Sequence, residues 1–206
     1  MCGRYSLGVD KPDDSIRAII HMCNSTADDD HKISENISGD IHPADNAPAL
    51  MVVNHKVTAV SMSWGIPAVG SKLIINARSE DLHQRPTFRR IADTQRCIIP
   101  AAGYYEWRDP DKLRHMITEE NGKPIFFAGL YQWDSQGQPH FVILTRAAVD
   151  EHAKIHGRMP CVLFKKEETR AWLSGQITPE GLTVHPTSGL KIEVQGNEQI
   201  SMFFDN

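Results

Sequence analysis

Short β-rich runs joined by turn residues recur along this chain, and nowhere do they alternate with helices in the βαβ rhythm that builds a parallel sheet. That pattern restricts the fold more than any other feature. Ala49 to Asn54 and Val57 to Trp64 are such runs, separated by His55-Lys56 as a hairpin would be. Gly65 and Pro67 interrupt them, and Lys72 to Ala77 enters a further extended piece. Arg96 to Trp107 is a long β-type segment bent at Pro100 and Gly103. Pro124 to Tyr131 and His140 to Ala147 are strong strands joined by Asp134-Ser135-Gln136-Gly137. Gly3 to Leu7, Cys161 to Phe164, Leu182 to His185 and Leu190 to Val194 add shorter pieces. Helical spacing is confined to a few places. Asp13 or Asp14 caps a helix with apolar face Ile16, Ile19, Ile20 and Cys23, and Lys165 to Leu173 is a charged amphipathic helix. Pro86 opens a short helix over Pro86–Ile91, and Asp150 to Ile155 makes a helical turn. About eight to ten turn-linked strands with three or so helices predict an α+β fold, mainly antiparallel strands curled into a barrel-like sheet with a few peripheral helices.

At 206 residues the chain fits one domain, 1–206, with a buried core. The polar stretch 24–40, with Asp28-Asp29-Asp30, reads as a solvated, mobile loop. No basic start precedes an apolar run and no apolar segment reaches membrane length, so no membrane partner is expected. The four cysteines (Cys2, Cys23, Cys97, Cys161) are scattered, which points to a reduced, cytoplasmic protein and away from zinc or disulfide chemistry. His152 and His156 lack the acidic or cysteine company of a zinc pattern, so no metal and no cofactor are expected. Net charge is −4, which excludes general adhesion to nucleic acid. The charge is uneven, however. Residues 71–108 carry seven bases against four acids, a local basic stripe suited to a confined anionic partner.

Cys2 is hard to explain as packing, because chain ends are usually exposed. It makes chemical sense once Met1 is removed, since Cys2 then carries an amine and a thiol on adjacent carbons. The amine titrates near ~7.7–8.0 and the thiol near ~8.5, so both are available at cellular pH. Such a 1,2-aminothiol either attacks an acyl carbon with its own amine as base, or condenses with an aldehyde and closes to a thiazolidine. Three other places set reactive residues against apolar runs. Asn76-Ala77-Arg78-Ser79-Glu80 follows Leu73-Ile74-Ile75, Glu106-Trp107 follows the run Cys97 to Tyr105, and His156-Gly157-Arg158-Met159-Pro160 precedes Cys161-Val162-Leu163. Singly, each has a plain structural explanation as a turn amide, an edge charge or a loop histidine.

In order, Met1-Cys2-Gly3-Arg4, Trp64-Gly65-Ile66-Pro67, Asn76-Ala77-Arg78-x-Glu80, Cys97-Ile98-Ile99-Pro100-Ala101-x-Gly103-Tyr104-Tyr105-Glu106-Trp107 and His156-x-Arg158-Met159-Pro160 resemble the SOS-response-associated peptidase family, which includes abasic-site-processing proteins. The resemblance runs from residue 1 to about 165 and lapses in the tail from Val194. Glycine follows His156 where the family usually has an acidic residue.

The resemblance implies covalent capture of abasic sites in single-stranded DNA. The Cys2 amine would form a Schiff base with the sugar aldehyde and the thiol would close a thiazolidine, an intramolecular step with a large proximity advantage. Glu106, desolvated beside Trp107 and the two tyrosines, is expected to move protons. His156 is expected to hold or protonate the sugar, and Asn76 to clamp the Cys2 backbone or the sugar. An abasic-site lyase activity and autocatalytic removal of Met1 are implied alongside. Arg4, Arg78 and Arg158 suit phosphates, and Trp107 suits stacking on a base. Pro48 and Thr145 match groove-lining positions, and Arg85 belongs to the basic stripe with Arg89 and Arg90. Trp64 is read as core or rim. The implied partner is single-stranded DNA containing abasic sites, with replication-fork proteins nearby, a monomeric chain, and a cytoplasmic location that becomes nucleoid-associated on DNA.

Two other classes use the same residues differently. An N-terminal-nucleophile cysteine hydrolase would cut amide bonds and need no DNA groove, so salt-sensitive binding of single-stranded oligonucleotides counts against it. A non-catalytic single-strand-binding protein would be indifferent to Cys2→Ser.

Overall fold

The computed structural model describes residues 2–8, 12–33, 39–70, 72–109, 111–184 and 186–195. The first half holds β1 (Tyr5–Ser6), α1 (Asp14–Asn24), β2 (Asp40–Ile41), β3 (Asn46–Val53), β4 (Lys56–Trp64), β5 (Ile66–Ala68), β6 (Lys72–Ile74) and β7 (Asn76–Arg78). Then come β8 (Arg96–Ala101), β9 (Gly103–Arg108), β10 (Leu113–Glu119), β11 (Ile125–Trp133) and β12 (Pro139–Ala147). The chain closes with α2 (Asp150–Ala153), β13 (Arg158–Pro160), β14 (Val162–Leu163), α3 (Lys166–Leu173) and β15 (Leu190–Gln195).

The larger sheet runs β13-β12-β4-β3-β8-β11-β14, and β11 also pairs with β12. That second pairing closes β12, β4, β3, β8 and β11 into a ring, the curled, mainly antiparallel α+β arrangement expected. A second sheet runs β15-β10-β9-β1-β2, and β5 pairs with β6 alone. Alternation along β11 and β12 divides the core in two. Phe127, Phe141 and Ile143 face one cluster with Tyr5 and Trp64, while Ala128, Leu130, Val142 and Leu144 face the other, covered by Trp172 of α3. Strands covered on both faces read as continuous apolar runs, which is why these two stood out in sequence.

One departure from antiparallel order positions the site. β12 pairs in parallel with β4 (Phe141↔Trp64) and then with β7 (Ile143↔Asn76, Thr145↔Arg78). β4 and β7 therefore act as one interrupted strand, with the β5–β6 hairpin looped out between them. Trp64 Nε1 donates to the Ile75 carbonyl at 3.0 Å and ties the base of that loop. Gly65 makes the exit turn at φ +119°, a conformation side chains resist. The interruption delivers Asn76 and Arg78 to the flank of β12.

α1 begins where expected. Asp13 Oδ1 accepts from Ser15 N at 2.7 Å, and Ile16, Ile20 and Cys23 are buried. Asn54 and His55 both have positive φ, 48° and 63°, the two-residue hairpin conformation that favours Asn-Gly. His55→Gly is accordingly expected to stabilise the protein by about 1 kcal/mol, readable as a melting temperature raised by about 2–4 °C.

Elsewhere the structure corrects the sequence reading. Residues 86–94 form no helix. The carbonyls of Arg85, Phe88 and Ile91 accept in turn from residues three and four ahead, giving three linked turns. These bury Phe88, Ile91 and Ala92 as well as a helix would, so apolar spacing could not tell them apart. Leu182 lies in a 3-10 turn, Glu180–Val184, rather than an extended piece, and His185 is outside the described residues. The polar segment 24–40 is tied down at its start. Asn24 exchanges hydrogen bonds of 2.8 Å with the backbone of Ile33, which is buried, and Asp29–His31 forms a 3-10 turn. Residues 34–38 lie outside the described residues.

Candidate active site

β1 places the cysteine. It pairs with β9 (Tyr5↔Tyr104, Ser6↔Gly103), and Tyr105 N donates to the Arg4 carbonyl at 3.0 Å. The start of the chain is thus stitched along the strand that carries Glu106. Cys2 is fully buried, with Sγ 3.6 Å from the Arg4 carbonyl. From the interrupted strand, Asn76 Nδ2 donates to the Cys2 carbonyl at 2.7 Å. A carbonyl only accepts, so this contact fixes the amide orientation. It leaves Asn76 Oδ1 buried with no partner among the described residues.

Burial pushes the Cys2 thiol well up, and the nearby Glu106 charge pushes the same way. The sulfur is therefore a thiol, not a thiolate. Burial also raises Glu106, with His156 pulling in the opposite direction. Tyr104 is held neutral by burial first and then by Cys2 and Glu106. A small cavity of about 10 Å³, room for one water, is lined by Tyr104, Glu106, Ile117, His152, His156 and Arg158 among others.

His156 sits on the loop between α2 and β13. Its Nδ1 lies 3.0 Å from the Arg158 N–H and 3.2 Å from the Arg158 carbonyl. Nδ1 accepts from the first when it carries no hydrogen and donates to the second when it does, so either tautomer has a backbone partner. Arg158 is held on two sides. Its guanidinium forms a bidentate pair with Glu80, one arm at 3.0 Å, and donates to the Thr145 carbonyl at 2.8 Å and Oγ1 at 3.2 Å. Hydrogen bonding to Arg158 keeps Glu80 below its usual carboxylate range. A depressed acid contributes stability above its unfolded pKa and loses it as pH falls through the folded one. Glu80→Gln is therefore expected to cost about 1 kcal/mol at pH 7, the pair being partly screened, and the deficit should shrink in acid melts as pH falls below the ordinary carboxylate range.

Beyond Asn76 opens a groove of about 480 Å³ lined by Asn76, Arg78, Arg85, Pro86, Thr87 and Thr145 among others. Arg78 and Arg85 are more than half exposed and share Asp81 at 4.0 and 3.6 Å. Arg4 lies over the Trp107 ring at 5.3 Å and pairs with Asp40 at 3.4 Å. Pro48 is buried in β3 opposite Ser61 and lines neither the cavity nor the groove. Among the described residues no group of three His, Cys, Asp or Glu side chains is placed to hold a metal, and no helix is long and apolar enough to cross a membrane.

The expected neighbours of Glu106 need one correction. Strand alternation puts Tyr105 and Trp107 on one face of β9, with rings 6.4 Å apart, and Tyr104 and Glu106 on the other. Glu106 is desolvated by Tyr104 and Ile117, not by Trp107. Sequence reading also missed partners. Glu80 anchors Arg158, His152 lines the Glu106 cavity, and His115 lies across from Glu106 in register. The Tyr104–Glu106 spacing alone could have exposed the first shared face.

β9 can lie this close to β10 only because of Gly103. A Cβ there would stand 2.5 Å from the Ile117 carbonyl oxygen, with two side-chain atoms at 2.8 Å. A backbone oxygen in a ladder cannot retreat. Gly103→Ala is expected to cost about 2–3 kcal/mol, lowering the melting temperature by about 4–10 °C.

Fold and site together define a sheet-rich protein whose second residue is built into a buried acid–histidine site beside a basic groove. The family model for SOS response associated peptidase (SRAP) matches residues 1–194. The chain belongs to that family. It is 33% identical over 198 residues to abasic site processing protein YoqW of Bacillus subtilis (strain 168), covering 86% of this chain and 82% of the relative. To abasic site processing protein YMR114C of Saccharomyces cerevisiae it is 28% identical over 204 residues, covering 84% of this chain and 55% of the relative. In fold it is similar to a solved protein of Bacteroides thetaiotaomicron (TM-score 0.72, 21% identity, 97% of this chain and 94% of that one). A protein of Bordetella bronchiseptica is similar in the same way (TM-score 0.71, 22% identity, 95% and 100%).

Proposed function

We propose that this protein processes abasic sites in single-stranded DNA by covalent capture through Cys2. The observation that carries the reading is the position of Cys2, clamped by Asn76 within the field of Glu106 and next to a groove with exposed arginines. Hydrolysis of the Met1–Cys2 bond frees the amine. The amine adds to the C1′ aldehyde of the open sugar and water leaves, giving a Schiff base. The thiol then adds across C=N, its proton passing to nitrogen, to close the thiazolidine. Because burial keeps the sulfur protonated, the amine acts first and the thiol second. Glu106 moves the protons and His156 assists at the sugar. Loss of a C2′ proton from the Schiff base expels the 3′ phosphate, which gives the lyase activity. Arg78, Arg85 and Arg4 hold phosphates. Trp107, with Arg4 already stacked on it, takes a base. Thr145 lines the groove and, through its carbonyl, positions Arg158 beside the Glu106 cavity. Such DNA arises at replication forks, so fork proteins and the nucleoid are its proposed surroundings.

Intact mass before and after incubation with an abasic oligonucleotide tests this. Expected are loss of Met1 and an adduct that survives denaturation and maps to residue 2. Loss of Met1 with no adduct would favour the amide hydrolase, and retention of Met1 would overturn both.

A further inference from the structure

Arg90 belongs to the basic stripe but does not line the groove beside Asn76. It lines a second groove of about 530 Å³, together with Gln95, Gln132 and Trp133. The two grooves share Pro86 and Thr87 as a common wall, so the surface is continuous from Asn76 to Trp133. Arg90 is exposed and makes no ion pair among the described residues. No carboxylate lines the second groove, whereas Asp81 lines the first.

Trp133 is the unusual member. Trp64 and Trp172 are fully buried, but Trp133 is 48% exposed at the end of β11. Its ring is braced edge-on by Tyr131, 6.4 Å between centroids, so the indole is presented from a rigid strand. An ordered, half-exposed indole and an unpaired guanidinium facing one groove are the two elements that bind a nucleotide in a single strand, the base on the ring and the phosphate on the cation. The turns carrying Arg90 are anchored through buried Phe88, Ile91 and Ala92. Past Trp133 the next groove is lined by no lysine or arginine, and its Asp28 pairs with His31, so a polyanion finds no further guanidinium or ammonium there.

We infer that DNA flanking the abasic nucleotide crosses the Pro86–Thr87 saddle into this second groove, where Trp133 stacks a base and Arg90 holds a phosphate. The inference rests on abasic single-stranded DNA being the substrate, and it gives that DNA a direction across the surface.

The test is fluorescence anisotropy with three abasic oligonucleotides: one of about five nucleotides, and two extended by about six on the 5′ or the 3′ side only. Extension on one side is expected to tighten wild-type binding about tenfold, and extension on the other to change it little. Trp133→Ala should abolish that gain and leave the short oligonucleotide unaffected, while Trp133→Phe, which keeps a stacking face, should retain most of it. Arg90→Gln should lower the slope of log affinity against log salt by about 0.7 for the extended strand alone. Variants that keep the full length-dependent gain and salt slope overturn the inference. Undamaged strands, which cannot react, separate the two proposals. A Trp133-dependent gain there supports the track even if no adduct forms on abasic DNA. An adduct formed with no dependence on Trp133 supports the chemistry and removes the track.

Discussion

Cys2→Ala is expected to lose the denaturation-resistant adduct by at least about a hundredfold while keeping a Schiff base that borohydride traps. The prediction separates two nucleophiles that share one residue. Alanine retains the α-amine once Met1 is gone, so the C–N bond still forms. Without Sγ nothing closes onto the imine, and water returns it to amine and aldehyde. The raised thiol argues for this order, since a sulfur kept protonated by burial is a poor first nucleophile. Removing one buried sulfur costs about 1 kcal/mol and leaves the ladder between β1 and β9 untouched, so the fold should persist. Gel mobility after heat denaturation, with and without borohydride, reads both species. A variant with wild-type adduct would remove the thiol from the mechanism. A variant that has lost Met1 yet gives no trappable imine would make the thiol the first nucleophile and return weight to amide hydrolysis.

What sequence could not supply was the pairing that assembles these groups. The hairpin of β3 and β4 was legible because two β-rich runs flank a short break, although its turn is Asn54-His55, one residue earlier than the His55-Lys56 expected, and α1 was legible because Ile16, Ile20 and Cys23 recur at helical spacing. β10 was not legible. Its residues Leu113 to Glu119 mix charge with apolar positions, and the strand is held by β9 on one side and by β15, more than seventy residues later, on the other. Missing β10 hid His115 opposite Glu106. The Glu80–Arg158 pair spans 78 residues and needs β7 to lie against β12, which in turn needs the looped-out hairpin between Ile66 and Ile74. Ordered motifs brought Cys2, Asn76, Glu106 and His156 to notice one by one. Only the parallel β7–β12 contact and the β1–β9 ladder explain why the first three meet. The face of Glu106 was legible and misread, because alternation along β9 already separates it from Trp107.

Glu106→Gln is expected to slow adduct formation by about 10²–10⁴-fold and, at the same time, to stabilise the protein at neutral pH. Both effects come from one buried carboxyl. In the proposed mechanism it takes a proton from the incoming amine and returns it to the leaving water, and an amide can do neither. The wild-type rate should therefore rise with pH as Glu106 ionises above the ordinary carboxylate range, and that limb should be flat in the variant. Stability runs the other way. Burial raises the folded-state pKa, so between the unfolded value near 4.5 and the folded one the native protein holds more protons than the unfolded chain, and stability falls as pH rises. Glutamine carries no such penalty. Its advantage should be about 1 kcal/mol at pH 8 and should disappear towards pH 4, when both states of the wild type are protonated. Urea unfolding at the two pH values and single-turnover cross-linking across the range measure both. A variant that is slow but no more stable at pH 8 would mean that the carboxylate is well solvated or well paired in the native site, and its basicity would then need another source.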